Sequence, residues 1–269
     1  MKLLFLDLDG TLLNCTKEVP EENRKALEEA RAQGHKVILC SGRPLSAMQD
    51  LISDLDLNGP GCYVVSYNGG QIYDTYEQKT LYINPLEKEE VVLLFEEAAR
   101  DGIHVQTYSS DYLLVKEIDR ETEFYTKTTG IRCKPDSGLP YSLEELPVKV
   151  LLSDLDGRQR LEKFRQRMAP QLEGKIDMFY SSDQFLECVR TGVNKGSAVQ
   201  WLAGYLGVPM ENTYAAGDSE NDLPMIQAAA HGCAMANAEM CVKDAASYIT
   251  ENDCDHAGVA EIIRRFILD

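Results

Sequence analysis

Cysteine pairs at metal-binding spacing, long apolar runs and an excess of basic residues are all missing from this sequence. None of its eight cysteines (15, 40, 62, 133, 188, 233, 241 and 254) forms a Cys-x-x-Cys pair, which counts against a zinc ribbon or a thioredoxin-type redox site. No stretch comes near the ~18 apolar residues of a membrane span. The first apolar run is cut by Asp7, too early for a secretory leader. Free thiols in a reducing cytoplasm are the simplest expectation. There are 27 Lys and Arg against 44 Asp and Glu, a net charge of −17, which argues against nucleic acid or an anionic membrane as a partner. An enzyme for anionic substrates built on such a chain needs locally placed cations or a metal ion. Low-complexity tracts and internal repeats are absent too, apart from one echoed tetrapeptide.

What is present is concentrated in residues 3–11, Leu-Leu-Phe-Leu-Asp-Leu-Asp-Gly-Thr. An apolar run of this length reads as a buried strand broken by Gly10. It delivers Asp7 to its carboxyl end, where ligands bind in open α/β sheets, with Asp9 two residues on. Two carboxylates so close repel unless a cation or a shared proton holds them. Such a pair suits a Mg²⁺ site that handles phosphate. The same Asp-Leu-Asp-Gly recurs at 154–157 after the apolar run Val148–Leu152. Only one copy is expected to be catalytic, and the surrounding groups have to decide which.

The 269 residues, 44% of them apolar, suffice for one large α/β domain or two smaller ones. Strand and helix signals alternate from Leu3 to Ser66: a helix over 21–33, a strand Lys36–Cys40, a helix over 44–54 opened by Pro44, and a strand Tyr63–Ser66. This rhythm predicts a parallel sheet with right-handed crossovers. From about residue 84 the texture becomes α+β, with a helix over 87–101 and alternating strands at 105–107, 112–116, 148–152 and 176–180. The first rhythm returns near 186, with a helix over 195–206 and a strand Thr213–Gly217. The fold expected is therefore α/β: a Rossmann-like parallel-sheet core (1–83 and 186–269) with an inserted α+β cap domain (84–185).

Four strand ends carry polar groups: Asp7 and Asp9, Ser41-Gly42, Asn68-Gly69, and Asp218 with Asn221 and Asp222. In a parallel sheet these ends share one edge, so the groups can converge. The copy at 154–157 has no such company and reads as a strand-ending turn. Cleaving a phosphate monoester needs a nucleophile, charge relief on the phosphoryl oxygens and a proton for the leaving alcohol. Asp7 is placed for the first role through an aspartyl-phosphate, and Asp9 for the last as general acid and then base. Mg²⁺ on Asp7 and Asp218 would neutralise the carboxylates and the phosphate together. Lys195, the Ser41 hydroxyl and the Gly42 and Arg43 amides, at an expected helix N-terminus, would hold the remaining oxygens. Asp222 is expected to cap a helix or to support the site from behind.

These residues, with Asn194-Lys195-Gly196 and Gly217-Asp218-Ser219-Glu220-Asn221-Asp222, resemble the four ordered motifs of the haloacid dehalogenase-like hydrolases. More narrowly the chain is similar to the Cof-type phosphatases, whose α+β cap follows the third strand; Tyr67–Gly70 and Gly232–Ala238 share that pattern. The resemblance implies a metal held by the Asp7 carboxylate, the Asp9 backbone carbonyl and Asp218. It also implies phosphate contacts from the Leu8 amide, Ser41, Gly42, Lys195 and Asn221. The expected activity is Mg²⁺-dependent hydrolysis of small phosphorylated metabolites, sugar phosphates first, then FMN or pyridoxal phosphate. A phosphomutase of the same superfamily and a phosphate-binding regulatory protein are the alternatives. The substrate itself and the oligomeric state are not legible.

Overall fold

A computed structural model describes residues 1–268. The chain opens with β1 (Leu3–Asp7), α1 (Glu21–Ala32), β2 (Lys36–Cys40), the short α2 (Gln49–Asp54) and β3 (Tyr63–Ser66), then β4 (Gln71–Asp74) and β5 (Lys79–Ile83). Next come α3 (Lys88–Arg100), β6 (His104–Tyr108), β7 (Leu113–Val115), α4 (Arg120–Thr129), β8 (Cys133–Pro135), β9 (Lys149–Ser153), α5 (Arg158–Leu172), β10 (Ile176–Ser182) and β11 (Phe185–Arg190). The last part holds α6 (Lys195–Leu206), β12 (Thr213–Gly217), α7 (Leu223–Ala228), β13 (His231–Ala234), α8 (Met240–Ala245), β14 (Tyr248–Ile249) and α9 (Gly258–Ile262). Two compact units result. One comprises Met1–Gly42, Asp50–Tyr82 and Asn194 onward; the other comprises Arg43–Gln49 and Ile83–Val193.

The first unit is built on an eight-stranded sheet in the order β14-β13-β12-β1-β2-β3-β4-β5. The six strands from β14 to β3 run parallel, and β4 turns back antiparallel on β3. Parallel strands are buried on both faces, which is why β1 reads as a continuous run: Leu3, Leu4, Phe5 and Leu6 are all buried. β1 sits between β12 and β2, with Leu6 opposite Ala216 and Asp7 opposite Cys40. Its carboxyl end therefore opens beside the ends of both neighbours.

The expected helix over 44–54 is replaced by a single 3₁₀ turn, Leu45–Ala47, followed by the six-residue α2. The amides of Gly42 and Arg43 are thus not at the start of an α-helix. The macrodipole expected behind them is missing, because that effect belongs to the first turn of a regular helix.

The second unit has a six-stranded sheet, β10-β11-β9-β6-β7-β8. One face packs on α3 and α5 through a core that includes Leu94, Phe95, Val150, Leu152, Phe164 and Leu186. The other face mixes buried apolar residues such as Leu151 and Val189 with buried polar ones. Lys149 pairs with Glu187 at 3.1 Å, and the Tyr108 hydroxyl donates to Tyr125 of α4 at 2.7 Å. The strand β11 belongs to this sheet, so the second unit continues to Val193. α4 starts at an Asp119 N-cap whose carboxylate accepts from the Thr122 amide, and it ends at the left-handed Gly130. Among the described residues no helix is long and apolar enough to cross a membrane.

Candidate active site

The ends of β1 and β12, the start of α6 and the turn before α7 bring four charged side chains together inside the first unit. Lys195, the first residue of α6, is fully buried. Its ammonium donates to Asp7 Oδ1 at 2.5 Å and to Asp222 Oδ1 at 2.5 Å. α6 is held at that point by Asn194, whose side chain accepts from the Ser197 amide at 2.9 Å. Asp222 turns its second oxygen to the amides of Asp218 (3.0 Å) and Ser219 (3.1 Å). It thus caps the turn and anchors the lysine at once. Asp218 accepts from the Thr11 hydroxyl at 2.8 Å and from the Ser219 hydroxyl at 3.0 Å. A Cβ on Gly10 would lie 2.5 Å from Asp218 Oδ2, so glycine is required for the loop after β1 to pass so close.

Carboxylate oxygens of Asp7, Asp218 and Asp222 lie within 4.8 Å of one another. Burial raises the Asp7 carboxyl well above its ordinary range; Asp222 and Asp218 add to this and Lys195 opposes it. Asp218 is pushed up to about 6 by burial and by Asp222. Burial alone would lower the Lys195 ammonium, but Asp222 and Asp7 outweigh it and hold its pKa above the usual lysine value. Ionised together, the three carboxylates against one ammonium would leave two negative charges uncompensated in a buried site, which is what raises Asp7 and Asp218 when no cation is bound. An all-oxygen donor set with that deficit fits a hard divalent cation.

The other residues named from the sequence fall around this cluster. Ser41 is buried at the end of β2, where its amide donates to Val65 at 2.9 Å, and Gly42 follows against Asn68. Asn221 donates from Nδ2 to Asn68 Oδ1 at 3.3 Å. Leu8 is buried behind Asp7. The Asp9 side chain stands apart from the three carboxylates: it pairs with Lys17 at 2.7 Å, and both are about half exposed. Arg43, by contrast, groups with the second unit.

Two neighbours were not singled out from the sequence. Asn237, just after β13, donates to the Gly10 carbonyl at 2.8 Å and accepts from the Cys254 amide at 3.0 Å, tying down the loop that carries Asp9. Its signal is a polar residue past the end of another parallel strand. Lys17 had no signal, since only the turn of the loop brings it back to Asp9.

The second Asp-Leu-Asp-Gly has a different environment. Asp154, buried at the end of β9, receives Arg160 through two bonds of 2.6 and 2.7 Å and the Asp156 amide at 3.0 Å. Asp156 is in turn gripped by Arg120 at 2.7 and 3.1 Å. Arginines compensate both carboxylates, and no third acidic group joins them among the described residues.

Residues 4–263 match the model of a family described as haloacid dehalogenase-like hydrolase. YxeH of Bacillus subtilis (strain 168) is 31% identical over 99% of this chain and 98% of its own length. The 5-amino-6-(5-phospho-D-ribitylamino)uracil phosphatase YcsE of the same organism is 30% identical over 100% of this chain and 96% of its own. A crystal structure of a haloacid dehalogenase-like hydrolase from Bacteroides thetaiotaomicron superposes with a TM-score of 0.91 at 34% identity, covering 98% of each chain. With its parallel sheet, its four motifs and a family match over nearly its whole length, the chain belongs to the haloacid dehalogenase-like hydrolases.

Proposed function

We propose that this phosphatase is Mg²⁺-dependent and hydrolyses small phosphorylated metabolites through an aspartyl-phosphate on Asp7. The observation that carries the reading is the buried cluster in which Asp7, Asp218 and Asp222 outnumber Lys195. Asp7 attacks phosphorus through the oxygen that Lys195 does not hold, and the ester P–O bond breaks. Asp9, freed from Lys17 and protonated from solvent, gives that proton to the departing alcohol oxygen. A water then attacks phosphorus while Asp9 takes its proton, and Asp7 is released with inorganic phosphate. Lys195, the Ser41 hydroxyl, the Leu8 and Gly42 amides and Asn221 hold the phosphoryl oxygens throughout. Asp7, Asp218 and the Asp9 carbonyl are the metal ligands in this reading, and Asp222 orients Lys195. When bound, Mg²⁺ neutralises the carboxylates and draws charge from the phosphoryl oxygens.

Sugar phosphates are the substrate class favoured here. The YcsE relative acts on a phosphorylated ribityl compound, an open-chain member of the same chemistry, which supports including polyol phosphates. FMN and pyridoxal phosphate follow. The test is phosphate release from a panel of sugar, polyol, nucleotide and cofactor phosphates, with Mg²⁺ and with EDTA, beside Asp7→Asn. Metal-dependent release that vanishes in the variant is expected. Transfer of phosphate between positions of a sugar without release would instead make the protein a mutase.

A further inference from the structure

The loop after β3 carries an unusual backbone. Three consecutive residues have positive φ: Tyr67 (+52°), Asn68 (+55°) and Gly69 (+107°). Asparagine and glycine tolerate this region, whereas a bulky tyrosine adopts it rarely. Strain of this kind persists only where the surroundings enforce it, and it collects at functional sites. Nothing in the proposed chemistry uses Asn68, and yet the side chain is buried.

The three residues touch three separate parts of the site. The Asn68 amide donates to the Ser41 carbonyl at 2.9 Å. The place a Cβ would occupy on Gly42 lies 2.9 Å from Asn68 Nδ2, so the phosphate loop and the Asn68 side chain are in direct contact. Asn68 Oδ1 accepts from Asn221 Nδ2 at 3.3 Å. Gly69 backs onto Asn194, the cap of the Lys195 helix, so closely that a Cβ would come 2.3 Å from its carbonyl oxygen.

We propose that Asn68 is a positioning residue for phosphate, acting through Asn221 and the Ser41-Gly42 turn. Its carbonyl oxygen takes one of the two Nδ2 hydrogens of Asn221. The acceptor side of the Asn221 amide is thereby turned away, and the remaining hydrogen is left for a phosphoryl oxygen. Its own backbone amide fixes the Ser41 carbonyl and so the direction of the Ser41 hydroxyl and Gly42 amide. The left-handed backbone is what aims the Asn68 side chain between them. This inference rests on the phosphatase reading above.

The test is a double-mutant cycle on Asn68→Gly and Asn221→Ala, read as the inhibition constant of inorganic phosphate together with kcat, KM and the melting temperature. Glycine keeps the left-handed backbone and removes only the amide. Asn68→Gly is expected to raise the inhibition constant about tenfold, the scale of one hydrogen bond to a charged ligand. In the Asn221→Ala background the same change is expected to add less than about twofold, because the two act as one unit. Effects that multiply independently, or an unchanged inhibition constant beside a lowered melting temperature, overturn the proposal. Asn68→Asp, similar in size and equally at home in this backbone region, serves if the glycine variant does not fold. Its negative charge is expected to weaken phosphate binding at least as much, and unchanged binding overturns the role. Wild-type protein that neither binds phosphate nor releases it from any ester defeats the phosphatase reading itself. Active wild type beside variants that match it removes only Asn68.

Discussion

Replacing Asp154 by asparagine separates the two Asp-Leu-Asp-Gly copies by experiment. The Asp154 carboxylate is buried and takes both Arg160 bonds and the Asp156 amide. Asparagine keeps one acceptor oxygen but loses the charge and turns an amide NH₂ toward the guanidinium. A hydrogen bond to a charged group contributes about 1.5–3 kcal/mol. The Arg160 side chain is 45% exposed, so screening brings the expected loss down to about 1–2 kcal/mol. For a unit of this size that lowers the melting temperature of the second unit's transition by about 4–10 °C.

The loss also carries a pH signature. Arg160, with help from the Asp156 amide, holds the Asp154 carboxyl below its usual range. The native state therefore binds fewer protons than the unfolded chain. The stabilisation is present above the unfolded value near pH 4 and fades as the pH falls through the folded value. The gap between wild type and variant should close in acid. Calorimetric melts at neutral and acid pH, with kcat/KM on the best substrate, are the assay. An unchanged kcat/KM is expected; a large fall in kcat/KM with no change in melting would refute the structural role of this copy.

Asp7→Asn should abolish turnover while circular dichroism and melting show an intact fold. Asp9→Asn should lose about 10²–10⁴-fold in kcat, the range for removal of a general acid–base group, and kinetics within a factor of a few of wild type would exclude it. Mg²⁺ at ~100 times its dissociation constant should stabilise the first unit by about 2.7 kcal/mol, and calorimetry should show that gain gone in Asp218→Asn. Because the Asp218 carboxyl of the metal-free protein lies at about 6, protons compete with the metal below that value. Titration calorimetry should find Mg²⁺ affinity falling as the pH drops from 7 to 5.

The core of the fold was legible because β1 and β12 are buried on both faces and their apolar runs end at acidic residues. Asp7, Asp218 and Asp222 could be grouped from the same feature, since parallel strands place their ends on one edge, whereas Lys195 joins them from the start of the helix over 195–206. α4 was not foreseen: four threonines in ten residues give it weak helix propensity, and its caps and its packing against the sheet decide the matter. The helix expected over 44–54 is a regular α-helix only from Gln49, since a good first residue does not ensure that a regular helix follows at once. Asn68 was legible as a polar group at one of the four converging strand ends, but its partner was not. Its meeting with Asn221, 153 positions away, is a product of tertiary structure, as is the Lys17 grip on Asp9. The arginine grip on Asp154 and Asp156 is equally hidden in the sequence, where only the lack of polar company around 154–157 reads as structural.

The central claim, covalent catalysis by Asp7, is tested most directly by trapping. Enzyme turning over its best substrate is quenched in acid, reduced with borohydride and digested, and the peptide containing Asp7 is examined by mass spectrometry. Reduction of an acyl phosphate converts that aspartate to homoserine, and the account predicts homoserine at position 7 and nowhere else. Homoserine at another aspartate, or an unmodified Asp7 from enzyme with a demonstrated burst of alcohol release, would contradict it.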